Sequence, residues 1–162
     1  MGSGKTSIGK KLSKMMKFSF IDTDHIIEEK TGVDIPTIFE HEGESGFRER
    51  EKNILKEISN IENTVVGTGG GIIISPENRE IIKNLGFVVY LTADIRELVY
   101  RTAQDKSRPL IKNNNTEKVM VDIIKKREKY YENTSNIKIS TDNYDTVKIS
   151  KIIIKNYEKN NS

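Results

Sequence analysis

The chain reads as one α/β domain, a parallel β-sheet with helices on both faces in three layers, and three observations predict it. Apolar runs of strand length at 18–21, 64–68, 87–91 and 137–140 alternate with amphipathic helical stretches, the pattern of parallel strands joined by crossover helices. Gly2-Ser3-Gly4-Lys5-Thr6 is the distal part of a phosphate-binding loop, whose full pattern is Gly, any four residues, then Gly-Lys-Ser/Thr. Gly69-Gly70-Gly71 follows the second run directly, and three glycines after a buried strand let backbone come very close to a ligand.

Size and composition narrow the classes. The 162 residues suit one domain, spanning 1–162, with a sizeable core. A net charge of +3, with acids and bases interspersed, argues against a nucleic-acid partner. There is no Cys, so no disulfide, thiolate metal site or thiol nucleophile is available, and with two His a His-rich zinc site is not expected. No run is apolar for long enough to span a membrane, and a cytoplasmic protein is expected.

The elements follow in order. In the loop, small residues let backbone N–H groups turn toward a phosphate. Lys5 would reach the outer phosphates and the Thr6 hydroxyl would hold Mg²⁺. Ile8, Leu12 and Met15 or Met16 keep helical spacing, so the loop feeds a helix whose N-terminus favours an anion. The run 18–21 ends in Asp22-Thr23-Asp24. Acids at i and i+2 share one side of an extended chain, and ligands in such sheets sit beyond the carboxyl ends of strands. Asp24 is alternatively a cap for a helix beginning near His25. That helix stops at Thr31-Gly32, and Asp34 with Pro36 starts the next, a short one from 35 to about 41 that Gly43 ends.

A longer helix from 44 to about 60 carries Phe47, Ile54 and Ile58 on one face. Arg48 and Glu51, three apart, are neighbours on it. They are either a solvated ion pair or an Arg aimed at an anionic ligand and held by a Glu behind it. After the glycines, Pro76 starts a helix that Gly86 ends. The run 87–91 is apolar throughout, as a fully buried parallel strand would be. Asp94 caps a helix carrying Leu98 and Val99. Residues 104–115 are polar around Arg108-Pro109-Leu110, which suits a lid with one positioned Arg. Thr116 caps a helix on which Val119, Ile123, Arg127 and Tyr130 share a face, and an Arg on an apolar face must snorkel or meet an anion. The last helix carries Val147, Ile149, Ile153 and Tyr157, with a frayed tail expected from Glu158.

Over nearly its whole length the chain resembles shikimate kinase. The resemblance rests on residues 2–9, Asp22-Thr23-Asp24, Ile38-Phe39, Gly43-Glu44, Phe47-Arg48, Glu51, Gly69-Gly70-Gly71, Arg101, Arg108-Pro109-Leu110, and Arg127 with Tyr130. Each piece is common, while their order and spacing together are specific. It implies a P-loop fold like that of nucleoside monophosphate kinases, with a substrate-binding region at about 25–60 and a lid at about 104–115. It implies ATP-dependent phosphorylation of the shikimate 3-hydroxyl by an enzyme expected to act as a monomer.

The resemblance also implies roles by position. Gly2, Ser3, Gly4, Lys5, Thr6 and Ser7 hold the nucleotide phosphates, and Thr6 and Asp22 serve Mg²⁺. Asp24 orients the substrate hydroxyls and accepts the proton. Arg48 and Arg127 grip the substrate carboxylate, assisted by the backbone of Gly69, Gly70 and Gly71. Ile35, Phe39 and Phe47 line the ring pocket, Arg101 flanks adenine, and Arg108 is the lid arginine. Where the family often carries Pro, Lys129 stands here.

Two alternatives belong beside this reading. One is a related kinase for gluconate or a nucleoside monophosphate, against which Asp24, Phe47-Arg48 and the triple glycine argue together. The other is an inactive nucleotide-binding remnant, because the opening glycine of the loop and the central strand before it would lie ahead of Met1. A strand of that kind contributes about 6–12 kcal/mol of apolar burial, so the 162 residues alone are expected to be marginally stable and Met1 to be internal to the loop.

Overall fold

In the computed structural model, residues 2–103, 116–142 and 145–161 are described. Each phosphate-side and substrate-side residue is carried to its place by an alternation of strand and helix. Helix α1 (Lys5–Met16) follows the loop, and β1 (Ser19–Asp22), α2 (Thr23–Thr31) and α3 (Ile35–Glu57) come next. After a 3₁₀ turn, β2 (Thr64–Gly67) leads through the glycines to a second 3₁₀ turn (Ile72–Ile74) and α4 (Pro76–Leu85). Then come β3 (Val89–Thr92), α5 (Ile95–Ala103), α6 (Thr116–Thr134), β4 (Ile137–Ser140) and α7 (Thr146–Asn160).

All observed strand pairing is parallel, as the alternation predicts. Among the described residues it forms two separate pairs. β1 runs beside β2 with Ser19 opposite Thr64 and Asp22 opposite Gly67. β3 runs beside β4 with Val89 opposite Ile137 and Thr92 opposite Ser140. Both pairs rest on the same helices: Val65 of β2 and Val89 and Leu91 of β3 pack against Ile8 and Leu12 of α1 and Ile149 and Ile153 of α7. A second, larger cluster joins Ile27 of α2, Ile38, Phe47, Ile54 and Leu55 of α3, Ile58, and Ile72 and Ile73 after the glycines.

Several sequence expectations change. β3 is only half-buried along its length, because Val89, Tyr90, Leu91 and Thr92 border a cavity of about 1460 Å³ that also reaches Val65 and Val66 of β2. The two helices expected at 35–41 and 44–60 are both present within α3, separated as expected by the break at Gly43 (φ 68°, ψ −173°), a conformation that a side chain would strain. On the side of α6 turned toward the cavity are Ile123 and Arg127, as expected, with Met120, Tyr131 and Thr134, while Val119 is exposed. Tyr130 packs against the core cluster without lining the cavity, and the Arg79 guanidinium lies over its ring, 4.5 Å from its centre. At the C-terminus the helix persists to Asn160, where the Asn161 N–H donates to the carbonyls of Tyr157 and Glu158. Val147 is exposed, leaving Ile149, Ser150 and Ile153 as the buried face.

Candidate active site

The phosphate loop and β1 meet at a pair of hard oxygens. Gly4 takes a left-handed turn (φ 81°) and its carbonyl accepts from the Ile8 N–H at 2.9 Å, which starts α1 directly after the loop. At the second residue of α1, the Thr6 hydroxyl donates to Asp22 Oδ2 at 3.1 Å. The other oxygen, Oδ1, accepts from the Asp24 N–H at 3.1 Å. Asp22 is therefore the residue that caps α2, and Asp24 lies inside its first turn. The two acids reach one region because the chain turns from strand into helix between them, not because they share a side of an extended strand. A hydroxyl and a carboxylate suit Mg²⁺, which binds few protein oxygens and keeps the rest of its shell for water and phosphate.

The cavity brings most of the expected residues together. Ser3, Lys5 and Thr6 of the loop line it with Asp22, Asp24, Arg48, Arg127 and Gly69, Gly70 and Gly71, and so do Ile35, Phe39 and Phe47. The rings of Phe39 and Phe47 are tilted against each other with centres 4.9 Å apart. Gly2, Gly4 and Ser7 belong to the loop but not to the cavity wall. Arg101 stands outside the wall as well. Its Nη1 donates to the Gly2 carbonyl at 3.3 Å and its Nη2 to the Thr141 carbonyl at 3.1 Å, so it joins the phosphate loop to the segment after β4. Arg108 and the lid at 104–115 lie outside the described residues.

Arg48 is held by two carboxylates. Its Nη1 donates to Glu51 Oε2 at 2.5 Å, and its Nη2 donates to Glu44 Oε1 at 2.9 Å. Glu51 is fully buried at 0% side-chain exposure and Arg48 is 16% exposed, so this is not the solvated pair that helix spacing alone allows. Glu44 is 56% exposed and comes off the α3 break at Gly43. Burial opposes the Arg48 charge, and the two carboxylates more than offset it.

Burial dominates at Glu51 and pushes its carboxyl up to about 7; Arg48 and Arg127 oppose that rise while Asp24 adds to it. The glycines are needed for these side chains as much as for any ligand. A Cβ on Gly71 would stand 2.2 Å from Arg48 Nη2, and one on Gly69 would stand 2.8 Å from Asp24 Oδ1 and 2.9 Å from Glu51 Oε1.

One residue of the site escaped sequence reading. Tyr131 Oη donates to the Gly70 carbonyl at 2.5 Å, and its ring stacks on Tyr90 of β3 with centres 4.8 Å apart. Its signal was present, since Tyr131 is four residues after Arg127 and so shares its helix face. Tyr130, three residues after Arg127, is also on that side of α6 and packs against the core cluster, but it does not line the cavity.

Comparisons with known proteins bear on the family and the fold. The family model for shikimate kinase matches residues 1–158. A shikimate kinase of Psychrobacter sp. (strain PRwf-1) is 44% identical over 154 residues, covering 94% of this chain and 86% of its own length. The fold superposes on a shikimate kinase from Acinetobacter baumannii in complex with shikimate (TM-score 0.95, 39% identity, 99% of this chain and 89% of that one). A shikimate kinase from Aquifex aeolicus gives a TM-score of 0.83 at 32% identity over 99% of this chain and 93% of that one.

Proposed function

The chain belongs to the shikimate kinase family, and from that premise we propose that it transfers the γ-phosphoryl group of ATP to the 3-hydroxyl of shikimate. The observation that carries the reading is the shared cavity: Lys5 of a phosphate loop, Asp24, Arg48 and Arg127 all line it. Nothing in the site favours gluconate, a nucleoside monophosphate or an inactive remnant.

In this mechanism the protein positions two reactants and neutralises spread negative charge, which is most of what phosphoryl transfer requires. Lys5 and the loop backbone, with the N-terminus of α1, hold the outer phosphates. Thr6 and Asp22 would hold Mg²⁺, which would supply positive charge to offset that of the phosphates. Arg48 and Arg127 grip the substrate carboxylate, since a planar guanidinium matches a carboxylate with two parallel N–H groups. Ile35, Phe39 and Phe47 form the apolar wall against the ring.

Asp24 accepts the proton of the 3-hydroxyl as that oxygen attacks the γ-phosphorus. The new O–P bond forms as the bond to the β-phosphate oxygen breaks, and ADP leaves with that electron pair. Arg101 flanks the adenine, and Arg108 in a lid at about 104–115 closes over the phosphates, while residues at about 25–60 form the substrate-binding region. The enzyme works as a cytoplasmic monomer. Among the described residues, no helix is long and apolar enough to cross a membrane.

The test is a phosphoryl-transfer assay of the purified protein with ATP and Mg²⁺ against shikimate, gluconate and AMP. Phosphorylation of shikimate alone is expected. Comparable turnover of AMP or gluconate overturns the reading.

A further inference from the structure

We propose that Tyr131 is a positioning residue for substrate binding: its hydroxyl fixes the Gly70–Gly71 peptide so that the Gly71 N–H is presented as a donor to the substrate carboxylate, beside Arg48. The proposal rests on the reading of Arg48 and Arg127 as the carboxylate grip. It starts from a property of the peptide bond. A trans peptide is planar, with its N–H pointing opposite to its C=O. The Gly70 carbonyl accepts from Tyr131 Oη at 2.5 Å, so the Gly71 N–H of the same plane is turned away from Tyr131. Among the described residues that N–H has no protein acceptor.

Without such a restraint, the peptide between two glycines would rotate easily, because glycine imposes the least conformational bias of any residue. A donor that rotates contributes little, since its ordering must be repeated at each binding event. Tyr131 supplies that order in advance, and the tyrosine is itself fixed. Its ring is stacked on Tyr90 of β3 with centres 4.8 Å apart. It is on α6 four residues after Arg127, within hydrogen-bonding reach of that guanidinium. Burial holds its hydroxyl protonated, with Arg127 opposing in part, so it remains a donor at neutral pH.

The donor also sits next to the expected anion. The Arg48 guanidinium is packed so closely on the Gly71 Cα that a Cβ there would be 2.2 Å from its Nη2. One hydroxyl therefore links two parts of the carboxylate grip: Arg127 on α6 and the glycine turn against which Arg48 rests.

The experiment is Tyr131→Phe in the whole enzyme, with Tyr130→Phe as control. The ring and its stacking on Tyr90 remain, so the fold is expected to persist, and a thermal melt checks it. The KM for shikimate should rise about 5- to 10-fold, in keeping with one lost hydrogen bond. The KM for ATP should stay within about twofold, kcat should fall less than the shikimate KM rises, and Tyr130→Phe should change neither KM. Equal losses toward both substrates, no change toward shikimate, or the same shift from Tyr130→Phe would each overturn the proposal. Failure of the unmodified enzyme to phosphorylate shikimate would instead overturn the functional reading beneath it.

Discussion

The two halves of this domain are held in different ways. The substrate half, built on α2, α3 and the glycine turn, packs eight fully buried apolar residues into one cluster, from Ile27 to Ile73. Its polar groups are tied to one another: Arg48 to Glu51 and Glu44, and Tyr131 to Gly70. The nucleotide half, built on α1, β3, β4 and α7, has five such residues among those described, and its strand pair shares the large cavity with Val65 and Val66 of β2. Its polar links are long-range ties such as Arg101 to Gly2. The substrate half thus has its donors oriented before any ligand arrives, which lowers the ordering cost of binding. In the nucleotide half, order depends on a few contacts between distant parts of the chain.

The difference can be tested from its largest expected effect downward. Asp24 stands between the halves, next to the Asp22–Thr6 pair on one side and near Glu51 on the other. Asp24→Asn keeps the shape and removes the proton acceptor, so turnover should fall about 10²- to 10⁴-fold. ATP affinity should hardly change. A collapse of ATP affinity, read by nucleotide titration, would instead put Asp24 in the metal site.

Gly71→Ala probes the substrate half alone. Gly71 has ordinary helical backbone angles (φ −91°, ψ −10°), so alanine brings no backbone strain. Its methyl group would, however, occupy the space of the Arg48 guanidinium. Arg48 must swing aside, and shikimate affinity should drop about 10- to 100-fold, the scale of a lost charge-assisted contact. ATP affinity should stay unchanged. Titration calorimetry with each ligand separates the two, and equal losses would mean that the halves are coupled more tightly than their packing suggests.

The smallest effect is on stability against pH. The Glu51 carboxyl is raised to about 7 in the folded protein from an ordinary 4.5, chiefly by burial. The stability gained from its neutral form is complete below about pH 4.5 and is lost as pH rises through about 7. The Tm should therefore fall between about pH 5 and 8 more steeply for the native protein than for Glu51→Gln, which stays neutral throughout. Parallel melting curves for the two would show that Arg48 keeps Glu51 ionised across that range.

The residues themselves determined more of this protein than its folded shape had to add. Strand and helix alternation, the loop at Gly2–Thr6 and the glycine triplet identified the fold class, because periodicity and glycine punctuation are local signals that burial merely reinforces. Helix stops at Gly32 and Gly86 and the start at Asp34 were legible for the same reason, and all three were found.

What only tertiary structure decided were the distinctions between near neighbours. Asp22 rather than Asp24 caps α2. Tyr131 rather than Tyr130 faces the site. The Arg48–Glu51 pair is buried rather than solvated. Gly71 makes room for Arg48. Each of these depends on which way a helix is rotated against its neighbours. One residue along a helix turns a side chain by about 100°, so a small shift in packing, invisible in the sequence, determines which of two adjacent residues reaches the cavity.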